Sequence, residues 1–202
     1  MPDVRLRLHA ANLAKRVEAD SNHIDVGLLG TKAILNALSE NGYAGLAYKV
    51  ASQETFPSWG WWMINGATTL YENWPIDAKS DISMNHIMFG EIGAWFYKAL
   101  GGIRPDPEKP GFKNTFLEPQ FVPGLDHFEA SHEGPYGNIR SSWTRTGKKI
   151  IFATTVPPNS TATLRLKIED NQRLTQNGKL LNATAGFYMQ KIKAGTYQFE
   201  IE

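Results

Sequence analysis

The stretch of the chain best suited to chemistry is "NGATTLYENWP", residues 65–75. Its only acid, Glu72, stands among small, hydroxyl and aromatic residues, with Trp59, Trp61 and Trp62 before it and Trp74 just after. A general base that activates water must be a carboxylate or an imidazole close to the substrate. Aromatic walls beside such a base suit a sugar cleft, where indole faces pack on the C–H faces of a pyranose and polar groups meet its hydroxyls. The plainer alternative is that Glu72 caps or pairs at a helix end while Trp59, Trp74 and their neighbours fill a core, as aromatic-rich segments usually do. Spacing alone leaves both open.

A second candidate is "MNHIMFG", residues 84–90, where Asn85 and His86 begin a helical stripe. Polar groups at a helix start face outward and can bond a ligand hydroxyl or a nearby carboxylate. A capping role for Ser83 or Asn85 with a surface His86 is an equal alternative. Other catalytic signatures are missing: there is no nucleophile elbow, dinucleotide fingerprint, phosphate loop or His-Glu-x-x-His. The histidines at 9, 23, 86, 127 and 132 make no pair at metal-ligand helical spacing, so neither a metal nor a cofactor is expected.

Composition narrows the class. The chain has 202 residues, 42% hydrophobic, with 21 basic and 20 acidic side chains and a formal charge of +1, which fits a folded protein and argues against a nucleic-acid binder. No apolar run approaches the ~20 residues of a membrane span. The first twenty residues are amphipathic and charged rather than a basic and then apolar leader, so no export address is expected in this chain. Without cysteine there is no disulfide framework or thiol nucleophile, and the compartment is left undetermined.

The elements that must position these residues divide into two textures. Leu6, Ala10, Leu13, Ala14 and Val17 form one helical stripe, and Leu28, Leu35 and Leu38 a second, stopped by Asn41-Gly42. Tyr43, Leu46, Ala47, Val50 and Ala51 form a third, and Met84, Ile87, Met88, Glu91, Ile92, Trp95, Phe96 and Leu100 the strongest. "GGIRPDPEKPG", residues 101–111, ends the helical reading. Beyond it, alternating runs at 127–131, 138–145, 149–156, 161–168, 186–192 and 196–202 are separated by Gly, Pro and Asn turns, the pattern of an antiparallel β-sandwich. The expected organisation is α+β: helical hairpins over 1–103, a linker over 104–111 and a sandwich over 112–202. The helical half, with five of the six tryptophans, has the broad apolar faces of hairpins that need neighbours, so an exposed flank and self-association are expected.

Three stretches carry a resemblance: "ALSENGYAGLAYKVASQETFPSWGWWMINGATTLYENW", then "SMNHIMFGEIGAWFYKALGGI", then "PGFKNTFLEPQFVPGLDHFEASHEGPYGNIRSSW". In order and through nearly the whole chain, they resemble the C-terminal end of bacterial α-L-rhamnosidases of glycoside hydrolase family 78. The most specific pieces are Pro57-Ser58-Trp59-Gly60, Gly66-Ala67-Thr68-Thr69, Glu72, Asn85-His86 with Gly90, and residues 131–143 around Gly134-Pro135-Tyr136-Gly137. The resemblance implies the last hairpins of an (α/α)6 toroid followed by a C-terminal β-sandwich. It implies inverting hydrolysis of terminal α-L-rhamnosides, with Glu72 as general base, His86 on the sugar and a rhamnose-containing carbohydrate as partner. Asn85, Trp59 and Trp74 join the substrate contacts. Tyr71 stands where the family often has Trp. The general acid is implied to lie upstream, so this chain alone is expected to be inactive. The competing expectations are another six-hairpin glycosidase with a different sugar preference, and a non-catalytic carbohydrate-binding module.

Overall fold

The computed structural model describes residues 4–77 and 82–202, which cluster into two compact units meeting between Trp95 and Phe96. The first unit is helical: α1 (Val4–Ala19), α2 (Leu28–Glu40), α3 (Ala44–Ala51), α4 (Trp59–Ile64), a 3-10 turn (Ile87–Gly90) and α5 (Glu91–Trp95). Helix α2 buries Thr31, Ile34, Leu35, Leu38 and Ser39, the i, i+3, i+4, i+7, i+8 set that makes one broad face. It stops where expected: Gly42 takes a φ of 92°, and the Tyr43 N–H returns to the Leu38 carbonyl at 2.9 Å. On α1 the buried face is Ala10, Ala14 and Val17, while Leu6 of the expected stripe is exposed.

Helix α4 went unread in the sequence because six residues are too few to show a period. It is nucleated by Ser58, fully buried, whose Oγ accepts the Trp61 N–H at 2.9 Å. Gly60 follows of necessity: a Cβ there would stand 2.2 Å from the Gln53 carbonyl oxygen. The strongest expected stripe, from Met84, begins later than read. His86 is extended (φ −128°, ψ 127°) and the helical run starts at Ile87, with Met84 and Ile87 both exposed.

The second unit opens with a π-turn (Phe96–Leu100) and continues as β1 (Ile103–Pro105), β2 (Asn114–Leu117), β3 (His127–Gly134), β4 (Gly137–Thr146), β5 (Lys149–Lys167), β6 (Leu174–Gln176), β7 (Lys179–Leu181) and β8 (Phe187–Ile201). These strands form one eight-stranded sheet, antiparallel except where β2 runs parallel to β5. Strand β5 is shared: its first half pairs with β4, its second with β2, and β8 runs antiparallel along both. Two pairs of expected strands are therefore continuous. The break at Pro157-Pro158-Asn159 is a shift of register inside β5, with Asn159 at φ 59°, and Gly195 lies within β8.

The expected linker at 104–111 also has a different role. Residues 103–105 pair with 115–117 as an edge strand of the sheet, where Pro105 is tolerated, and the Pro and Gly residues that follow make the β1–β2 connection.

Both halves of the sheet contribute to one core, in which Trp143, Phe152, Phe199, Leu117, Leu164 and Leu166 are buried. Trp143 is also tied by its indole N–H to the Leu100 carbonyl at 2.9 Å. Trp143→Phe keeps a ring in the core but strands that carbonyl. It should lower the unfolding free energy of the chain by about 1–3 kcal/mol in a guanidinium titration, and an unchanged midpoint would show that the bond contributes nothing.

Candidate active site

The chain leaving α4 is turned by Asn65 and Gly66, with the Ala67 N–H on the Trp62 carbonyl at 2.9 Å, and then continues outside any helix or strand, bending at Thr69 and again at Glu72. An aromatic cluster fixes this path. Trp62 stacks at a tilt on Trp74 (4.7 Å between centroids) and Tyr71 (5.6 Å), and Phe89 stands edge-on to both Trp74 (4.4 Å) and Trp62 (5.2 Å). Buried indole N–H groups need acceptors, and each finds a backbone carbonyl: Trp59 on Phe89 at 3.1 Å, Trp62 on Trp74 at 2.8 Å, Trp74 on Val26 at 2.9 Å.

Beside the cluster, residues 69–72 run against residues 83–86. The Glu72 N–H donates to the Ser83 carbonyl at 2.9 Å and the His86 N–H to the Leu70 carbonyl at 2.7 Å. The Ser83 N–H returns the contact, donating to Oε2 of Glu72 at 2.9 Å. The Thr69 hydroxyl donates to the Met84 carbonyl, and Ser83 Oγ accepts the Asn85 N–H at 3.2 Å. Glu72 is half-buried, and its Oε1 has no hydrogen-bond partner among the described residues. One oxygen of the carboxylate is thus oriented by the backbone and the other is left to accept.

His86 is the N-cap of the 3-10 turn, its Nδ1 accepting the Met88 N–H at 3.3 Å. A neutral ring whose Nδ1 accepts must carry its proton on Nε2, so the ring presents a donor. The structure therefore brings Glu72 and His86 onto two neighbouring segments tied together by their backbones. Asn85, between them in the turn, has an exposed side chain.

The two tryptophans are placed otherwise than as open walls. Trp59 is 4% exposed and edge-on to Trp74 (5.2 Å), while Trp74 is half-buried between Trp62 and Phe89. Tyr71 is likewise in the core. Sequence reasoning named Thr69 only as part of the Gly66-Ala67-Thr68-Thr69 motif, with no role of its own, and treated Ser83 only as a cap. What makes them part of the candidate site is a hydroxyl and a backbone amide aimed at groups fifteen and eleven residues away, for which residue type gives no signal. Among the described residues, no group of three or more His, Cys, Asp or Glu is placed to hold a metal, and no helix is long and apolar enough to cross a membrane.

Helical hairpins followed by a mostly antiparallel sheet, with a backbone-held carboxylate and an imidazole in the helical unit, define a class that the comparisons narrow. Residues 2–100 match the bacterial alpha-L-rhamnosidase 6 hairpin glycosidase domain and residues 102–181 the bacterial alpha-L-rhamnosidase C-terminal domain. An alpha-L-rhamnosidase of Formosa agariphila is 34% identical over 93% of this chain and 22% of its own length; one of Alteromonas sp. (strain LOR) is 31% identical over 100% and 22%. Among solved structures, an alpha-L-rhamnosidase from Dictyoglumus thermophilum superposes with a TM-score of 0.84 at 28% identity, covering 92% of this chain and 22% of that one. One from Streptomyces avermitilis, complexed with L-rhamnose, does so at 0.83 and 27%, covering 97% and 20%. The chain belongs to the bacterial α-L-rhamnosidase family. It spans about a fifth of the length of the relatives it matches.

Because the bond to Glu72 comes from a backbone amide, only a change that removes the N–H tests it. In a form extended to the length of the relatives, Ser83→Pro should cut turnover about 10- to 100-fold, whereas Ser83→Ala, which keeps the amide, should lose at most a few-fold. Equal losses in the two variants would mean that the hydroxyl, not the amide, is what matters.

Proposed function

We propose that this chain carries the general-base side of an inverting α-L-rhamnosidase, with Glu72 as the base and His86 and Asn85 on the sugar. The observation that carries the reading is the Glu72 carboxylate itself, held through Oε2 by the Ser83 amide, with Oε1 without a partner among the described residues. It lies within the part of the chain that matches a six-hairpin glycosidase domain.

In this reaction Oε1 accepts a proton from water as the water oxygen bonds to the anomeric carbon. The bond from that carbon to the leaving oxygen breaks on the opposite face, and a second carboxylic acid protonates the leaving oxygen. The two carboxyl groups of such a pair stand ~6.5–9.5 Å apart to admit the water. We place the acid outside these 202 residues, in the part of the parent that the longer relatives share. By this reading the chain alone does not turn over rhamnosides.

His86 offers Nε2–H to a sugar hydroxyl and Asn85 an exposed amide. Trp59 and Trp74 act in this reading by framing the segment that carries Glu72, since their N–H groups and much of their ring faces are already engaged. The substrate is a rhamnose-containing carbohydrate. Self-association of the isolated chain follows from its exposed apolar residues: Leu29 and Ile87 are 84% and 85% exposed, and Met63 and Ile64 of the helical unit face solvent as well. Sedimentation should show the chain associating at micromolar concentration, and a clean monomer would remove this expectation.

The deciding experiment is hydrolysis of an aryl α-L-rhamnoside by the extended form, with product followed by proton NMR. Wild type should release β-L-rhamnose first, and Glu72→Gln should lower kcat by about 10²- to 10⁴-fold. First release of the α anomer would exclude inversion, and full turnover by Glu72→Gln would remove Glu72 from the mechanism.

His86 can be dissected separately, because Asn is also a good cap. His86→Asn should leave thermal stability unchanged while raising KM about tenfold or more, which corresponds to loss of a ligand hydrogen bond. A wild-type KM would assign His86 to capping alone.

A further inference from the structure

We propose that Thr69 is a positioning residue for the candidate base, acting through the Met84 carbonyl; the proposal rests on the reading of Glu72 as that base. The two segments concerned belong to no helix or ladder. They are separated by the residues 73–82 and are joined by two backbone bonds, by the bond between Ser83 N–H and Glu72, and by the hydroxyl of Thr69 on Met84. Of these, the Thr69 bond is the one side-chain tie that does not involve the carboxylate it would serve.

Its location explains what it does. Met84 follows Ser83 in the turn whose start is closed by Ser83 Oγ on the Asn85 N–H. The direction in which the Ser83 N–H points is set by the orientation of this turn. On one side the turn is fixed by the Glu72 N–H on the Ser83 carbonyl, on the other by the His86 N–H on the Leu70 carbonyl and, nearer to Ser83, by Thr69 on the Met84 carbonyl. Losing the Thr69 bond frees the Met84 peptide between the two backbone bonds that remain, and the Ser83 amide that aims Oε2, one residue before it, gains room to shift. Base catalysis depends steeply on such placement, since a displacement of about 1 Å can cost ~10²-fold in rate.

Thr69 is exposed, so its hydroxyl could bond water at no cost; instead it donates to the backbone. Its neighbour Thr68 is exposed as well and has no hydrogen bond from its side chain among the described residues, which makes it the natural control.

The test uses the form extended to the length of the relatives and an aryl α-L-rhamnoside. Thr69→Val should lower kcat about 10- to 100-fold with KM within about twofold, Thr69→Ser should restore most of it, and Thr68→Val should match wild type. In a Glu72→Gln background, Thr69→Val should add no further loss, because its effect passes through the carboxylate. Wild-type kcat in Thr69→Val, failure of Thr69→Ser to rescue, or a loss that persists in full beside Glu72→Gln each overturns the proposal. Full turnover by Glu72→Gln alone removes the base assignment and this proposal together. A disabled Glu72→Gln beside a fully active Thr69→Val removes the proposal and leaves the base assignment standing.

Discussion

An indole ring can be buried only where its N–H finds an acceptor, and the aromatic cluster beside Glu72 meets that condition with backbone carbonyls. The bond from Trp62 to the Trp74 carbonyl does the most. It crosses from α4 to the far side of Glu72, so the segment carrying the acid is held at its end by the helix that precedes it. Phe89, from the 3-10 turn, closes the cluster from the other side and accepts the Trp59 N–H on its own carbonyl. Three separate pieces of chain are thereby tied together through buried and half-buried indole bonds and ring contacts. The placement of Glu72 follows from that lock.

On this frame the polar site is built almost wholly from main-chain groups. A carboxylate that accepts from an amide is bonded more strongly than a neutral acceptor would be, and the amide cannot swing away as a side chain could. His86 shows the same economy: one ring nitrogen satisfies the start of the 3-10 turn, and that fixes which nitrogen holds the proton. The carboxylate and the imidazole are thus oriented by the fold itself, which is what the proposed base needs if binding energy is not to be lost in arranging it.

Much of this architecture was legible in the residues. The buried faces of α2 and α3 follow the apolar period closely, and the Asn41-Gly42 stop falls where read, because both are local. Glu72 and His86 stood out by type and neighbourhood. The partners that make them a site did not, since the Ser83 amide and the carbonyls of Leu70 and Met84 are the same in every residue and are selected only by tertiary folding. The roles of Trp59 and Trp74 were open for a related reason: wall and frame call for the same residue, and only the partner of the N–H separates them. In the second unit, Pro157-Pro158 and Gly195 were taken for turns because local propensity favours them there. A long strand paired with β8 on both sides of residues 157–160 overrides that preference.

The parallel pairing of β2 with β5 has a consequence for the order in which the chain can be assembled. Residues 114–117 meet residues 161–164, and all of β3 and β4 lies between them. As the chain is synthesised, β1 and β2 emerge early yet have only each other until β5 is complete, and a lone two-stranded ribbon is marginal in water. The β3–β4–β5 meander, joined by short local connections, can form without them. Strand β4 also supplies the Ser141 hydroxyl and the Trp143 indole that bind the carbonyls of Gly101 and Leu100, just ahead of β1. The start of the second unit is therefore anchored by residues made after it, and its final conformation waits on the strands that follow.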